Sequence, residues 1–274
     1  DAIERDSFEH FHHQHLFESY RHYHGQDLQD DWRNAIDGGL IRPQFHAREH
    51  LNSPLWMADL QAGHEETRLA FRHGFYGLKT RTGSPRQKDY LAAHWPDTPA
   101  HLETINEILE DGLNQFSDTF GFPSTTFIGC NYVWPDGLEQ RLAQRGVKLI
   151  QSQRGHVEPD PSQAGRTRVR RHYTGQLNQH RQYYSVRNVV FEPYLREDTD
   201  WAAGALKEVS QSFQCGKPAV VCTHRINYVG GMDFEHRNRN LRQLNRFLDG
   251  VLERWADVQF ITSDELPEVM QENQ

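Results

Sequence analysis

Cysteine is scarce in this sequence: Cys130, Cys215 and Cys222 are the three in 274 residues. They are too few and too scattered for a disulfide framework or a zinc-knuckle spacing, which points to a reducing, cytoplasmic compartment. No run of about 18 apolar residues exists, so no transmembrane helix is expected. No signal peptide stands at the start, although the sequence opens on Asp1 rather than Met and an export signal would have gone with a missing N-terminus. Positive charge is short as well. Thirty Lys and Arg against 38 Asp and Glu give a formal net charge of -8, with a pI near 6.1. That balance argues against nucleic acid or an anionic membrane as the main partner, and the basic run "GRTRVRRH" (165–172) reads as a solvated strand or loop face. Absent too are the G-x-S-x-G elbow, the GxxxxGK[ST] loop and the G-x-G-x-x-G fingerprint, so serine-hydrolase, P-loop and dinucleotide-binding readings lose support.

What is present is a polar but aromatic-rich chain. Apolar residues make up 36%, yet there are 15 Phe, 10 Tyr and 6 Trp, and they recur in periodic segments, unlike those of a disordered chain. The length suits one large domain or two small ones. With no internal repeat or low-complexity linker, residues 1–274 read as one domain. A helical or irregular lead-in spans 1–40 and a strand–helix body spans 41–274.

In that body short β-like runs alternate with helical ones. The expected strands are "LIRPQF" (40–45), "STTFIGCN" (124–131), "VKLIQSQ" (147–153), "QYYSVRNVVF" (182–191), "AVVCTH" (219–224) and "VQFITS" (258–263). A helix is expected from an N-cap at Ser53 followed by Pro54, and a second ends on Gly74. The longest opens at Asp97-Thr98-Pro99, carries Leu102, Ile105, Leu109, Leu113 and Phe116 at spacings of three and four, and stops near Gly121. "DGLEQRLAQRG" (136–146) is helical. So is the stretch from about 200 to 215, with Trp201, Leu206, Val209 and Phe213 inward. The last long helix carries Leu241, Leu244, Leu248, Val251, Leu252 and Trp255. Residues 155–182 read as an excursion from the core. The pattern predicts an α/β fold with a mostly parallel sheet, open or closed into a barrel.

In such folds chemistry gathers at the C-terminal ends of strands. His46 follows the first strand, Asn131 and Tyr132 end the second, Glu192 follows Phe191, His224 ends "AVVCTH", and Ser263 and Asp264 end the last. They read as one site. His46 and His50, one helical turn apart, can reach one ion; the alternative is a pair of hydrogen-bonded loop histidines. His224 is either a satisfied core histidine or a general acid, because its unperturbed pKa lets it donate near neutrality. The tract "EHFHHQHLFESYRHYH" (9–24) holds His10, His12, His13, His15, His22 and His24, and reads as a packed segment with its histidines on the wet side. Asp30 and Asp31 share a helix with Leu28, Trp32 and Ile36 and read as a solvated face rather than metal ligands.

Five ordered stretches, "RPQFHAREHLN", "FIGCNYVWP", "VRNVVFEP", "CTHRINYVGG" and "RWADVQFITSDEL", together resemble bacterial polysaccharide deacetylase-like proteins of the glycoside hydrolase/deacetylase superfamily, over nearly the whole chain. The resemblance implies a distorted NodB-type (β/α) barrel and metal-dependent removal of acetyl groups from a carbohydrate. It implies a divalent ion, often zinc, held by an Asp and two His. His46 and His50 match the two-histidine motif. Tyr132 falls where a backbone amide would stabilise an oxyanion, and His224 matches the histidine that protonates the leaving group. Arg187 and Glu192 match the motif that orients the catalytic groups, with Asn131, Arg225 and Asn227 as further substrate-binding or orienting candidates. One departure matters: the family's first strand ends in an Asp pair, metal ligand and general base, and residues 1–40 contain none. The expectation is therefore an N-terminally truncated, incomplete barrel lacking the base and one ligand, with an exposed sheet edge and weak or no activity. Two alternatives stay open. One is a non-catalytic carbohydrate-binding barrel that has lost its metal site. The other is a glycoside hydrolase on a related barrel, for which Glu192 and Asp264 are the available strand-end carboxylates.

Overall fold

The structure, a computed structural model, describes residues 2–77, 90–163, 165–231 and 233–272. The lead-in is helical: α1 (Ala2–Arg5), α2 (Leu16–His24) and α3 (Gln29–Asp37). The body continues with α4 (Ser53–Gln61), α5 (Glu65–Arg72), α6 (Pro99–Phe120), β1 (Thr126–Ile128), α7 (Leu138–Gln144), β2 (Leu149–Ser152), β3 (Gly155–Pro159), β4 (Thr167–Arg171), β5 (Tyr183–Val186), β6 (Val189–Val190), α8 (Trp201–Gln214), β7 (Val221–Cys222), α9 (Phe234–Arg254) and α10 (Leu266–Glu272).

The helices follow from their end signals. Thr98 caps α6 by accepting from the His101 amide, Pro99 starts the helix, and Gly121 closes it at φ 80, where a side chain would be strained. Asp200 and Asp233 cap α8 and α9 in the same way. At α4 the cap is Asn52, one residue earlier than the Ser53 expected from sequence; its side chain accepts from the Leu55 amide.

The fold is mixed α/β, and the described strands form three small sheets rather than a closed barrel. The first is parallel, in the order β1-β2-β5. The second is the antiparallel hairpin β3–β4, which is the excursion expected over 155–182. The third is a parallel pair of β6 and β7. Several expected strands shrink or vanish. Residues 40–45 contribute only one parallel bridge, Phe45 to Phe127, because Pro43 has no amide to donate and Leu40 is exposed. "QYYSVRNVVF" breaks into β5 and β6: the Asn188 side chain bonds Pro218 and Val220 and replaces the ladder at the break. "AVVCTH" keeps only Val221 and Cys222, and Val221 is exposed, so this strand is not covered on both faces. Residues 258–263 form no strand; Phe260 and Ile261 stand exposed with no ladder beside them.

The two largest apolar clusters among the described residues hold these layers. Leu109, Leu113 and Phe116 of α6 pack on Phe127, Ile150 and Phe45. Leu206 and Val209 of α8 and Phe247 and Val251 of α9 pack on Val189 and Phe191. Burial of such side chains contributes about 1.5–3 kcal/mol each. Gly250 lets the two helices approach, since a Cβ there would lie 2.7 Å from Leu206 Cδ1.

Candidate metal centre

The loop after Phe45 carries the two histidines. Ala47 sits at φ 76, a left-handed conformation that a side chain rarely adopts, and this turn brings His46 and His50 together. Their rings lie 5.0 Å apart, edge to face. His46 donates from Nδ1 to the Ile128 carbonyl at 2.8 Å, at the end of β1, which leaves Nε2 with its lone pair free. Burial lowers the His46 pKa, and the charges of His50 and Arg187 add to that, so the neutral, ligating imidazole is favoured. Nδ1 of His50 is buried with no hydrogen-bond partner.

Two residues absent from the sequence-based site complete the surroundings. Cys130, wholly buried at the end of β1, puts its sulfur into the group: ligand atoms of His46, His50 and Cys130 all lie within 4.8 Å of one another. Burial pushes its thiol up to about 12, and it makes a 3.5 Å contact to the His46 carbonyl. The backbone past it turns sharply, with Asn131 at φ 52 and Tyr132 at φ 54. His94 is the other addition. Asn52 donates to the carbonyls of Ala92 and Trp95 and so ties the 92–95 stretch to the start of α4. His94 is buried there, its Nδ1 has no partner, and burial plus the charges of His46 and His50 drive its pKa down to about 3. Two imidazoles, one with an unpartnered Nδ1, and a buried thiol fit a borderline-soft divalent ion such as zinc.

A second cluster lies across Arg187. Glu192, almost wholly buried after β6, accepts from Nδ1 of His224 at 2.5 Å and from Asn227 Nδ2 at 2.8 Å. Asn227 is itself buried and accepts from the Tyr194 amide. His224 thus presents its Nε2 outward on a side chain that is 59% exposed. Cys222 joins this group, with Glu192 and His224 ligand atoms within 4.8 Å. Arg187 donates to the Cys222 sulfur at 3.3 Å and stands 5.6 Å over the Tyr132 ring. Its charge also reaches His46, so it spans the two clusters.

The remaining sequence candidates fall as follows. Asn131 and Arg225 are exposed at the rim. The Tyr132 amide is already donated to the Gly129 carbonyl at 2.9 Å, so it would receive an oxyanion only if that bond opened. Asp264 pairs with Arg42 at 2.6 Å, while Glu192 is held by His224 and Asn227, so the two carboxylates serve separate partners. Asp30 is 86% exposed and pairs with Arg33 within its helix. The histidine-rich tract packs by α6: His15 donates to Thr119 at 2.6 Å and Phe17 is buried. Next to the His46 loop it encloses a cavity of about 570 Å³, lined by His13, Trp32, Phe45, His46, Phe116 and Phe120 among others. Cys130 carried a readable signal, its place at a strand end. His94 carried none, since tertiary contacts, the Asn52 bonds to its stretch and its own ring against Phe127, bring it to the site.

No helix among the described residues is long and apolar enough to cross a membrane. No family model matches this sequence, and no curated protein or solved structure is significantly similar to it.

Proposed function

We propose that this chain is a metal-dependent hydrolase that removes acetyl groups from a carbohydrate, acting in the cytoplasm on a distorted barrel of the NodB kind. The observation that carries the reading is the convergence, on either side of Arg187, of a histidine pair free to ligate and a carboxylate-anchored histidine free to exchange a proton. His46 and His50 hold the ion, zinc by preference. When bound, such an ion supplies Lewis acidity toward an acyl carbonyl and activates water at neutral pH. Glu192 fixes the ring of His224 and keeps the proton on Nδ1, so that Nε2 can take up a proton from the attacking water and then hand it to the departing amine or alcohol. Arg187, held by the Cys222 sulfur and the Tyr132 ring, presents its charge beside the place where negative charge develops.

The test is acetate release from N- and O-acetylated oligosaccharides, with zinc and with a chelator. Zinc-dependent release that disappears in His46→Ala supports the reading. A zinc-loaded protein that binds such sugars without releasing acetate favours a carbohydrate-binding module, and one that shortens the chain favours a glycoside hydrolase.

A further inference from the structure

The family pattern calls for a carboxylate beside the two histidines, and the described residues place a thiol there instead. We propose that Cys130 is the third protein ligand, so that two imidazoles and one thiolate hold the ion. The inference rests on the metal reading above and changes its ligand set. Three observations carry it. The sulfur and both ring donors lie within 4.8 Å of one another. His46 is fixed through its other nitrogen by a backbone carbonyl, the arrangement that orients ligating histidines. The thiol is fully buried, and its contacts are to neutral backbone groups, the His46 carbonyl and Ala93, which leave the sulfur without an ionic partner of opposite sign.

The rival cluster of Glu192, Cys222 and His224 has equally close donors, but they are engaged. Glu192 already accepts from His224 and Asn227, and a guanidinium lies 3.3 Å from the Cys222 sulfur, where its positive charge opposes a cation. The Arg187 charge reaches His46 as well, but its hydrogen bond goes to Cys222 and not to a donor of the first cluster. A thiolate and two imidazoles select zinc or cobalt and reject magnesium and calcium, which prefer oxygen. Ligation replaces the S–H bond by a metal–sulfur bond, and the proton leaves to solvent, so binding releases one proton from Cys130.

The experiment uses cobalt(II) as the probe on the full chain carrying Cys215→Ser and Cys222→Ser, where Cys130 is the sole thiol and its buried surroundings are untouched. The expected result is an intense near-ultraviolet thiolate-to-cobalt charge-transfer band. Adding Cys130→Ser removes the band, weakens zinc binding by more than about 100-fold, and lowers by one the protons released on binding. Cobalt binding without the band in the double variant overturns the proposal and leaves the two-histidine reading standing. A band seen in the unmodified chain and lost in the double variant overturns it in favour of Cys222. No cobalt binding at all overturns both. A Cys130 band in a protein that releases no acetate upholds the ligand and removes the deacetylase reading.

Discussion

Glu192 shows what one buried carboxylate can organise. It receives His224 and Asn227, and a charged acceptor makes these bonds stronger than neutral ones. Glu192→Gln keeps the volume and removes the charge, so the His224 ring loses both its anchor and its fixed tautomer. In the proposed hydrolase this lowers kcat by about 10²–10⁴, the usual worth of a positioned general acid, while zinc affinity stays as it was; equal losses in zinc affinity would place Glu192 at the ion instead. At this scale the sequence singled out His46, Glu192 and His224 because each follows an apolar run, and His50 because it stands one helical turn past His46; the structure brings the first pair of rings together and sets Glu192 against His224. The sequence held no sign of His94, and the strand-end position of Cys130 was outweighed by its apolar character. A buried cysteine reads as core by default, and His94 reaches the site through Asn52, some forty positions away in the chain.

Among the elements, helices were legible and strands were not, for a physical reason. A helix satisfies its own hydrogen bonds and announces its ends through caps, as Thr98-Pro99 and Gly121 do for α6. Thr98→Ala removes the side-chain acceptor for the His101 amide and should cost about 1 kcal/mol, readable as a lower urea midpoint with unchanged slope. A strand needs a partner, and no local signal states whether one is present. "VQFITS" has the composition of a strand but no neighbour to ladder with among the described residues, and "LIRPQF" is reduced to Phe45. The turn after β1 is held by packing. Gly129 lies under the Trp134 ring, and an added Cβ would come within 2.3 Å of Trp134 Cε3. Gly129→Ala should therefore destabilise by about 1–3 kcal/mol and weaken zinc binding with it, since Cys130 is the next residue. An unchanged melting temperature would mean that the tryptophan swings aside freely.

For the whole molecule, the decisive quantity is the number of imidazoles folded in neutral form. Burial drives His94 and His156 down to about 3 and His101 down to about 4. His156 lies 3.9 Å from the Trp134 ring in a stacked pair, with His172 and the nearby arginines opposing its protonation further. The unfolded chain titrates these groups near 6.5. Between that value and the folded ones, the unfolded state binds more protons, so stability is full above about pH 6.5 and falls as pH drops. His94 and His156 together give a slope approaching about 3 kcal/mol per pH unit, against a total stability of about 5–15 kcal/mol for a typical domain. The lowered carboxylates, Asp200, Asp233 and Asp264 among them, act the same way but only near and below their ordinary value of 3.8. Acid unfolding of the metal-free protein should thus begin about two pH units above the carboxylate range. Thermal melts at pH 8, 7, 6 and 5 read this directly: the melting temperature should hold between the first two and drop steeply over the last two. His156→Gln, which cannot charge, should flatten the drop even if it lowers the plateau. A melting temperature that stays level down to pH 5 would show that these rings are protonated in the fold, and that the stack around Trp134 is open to water.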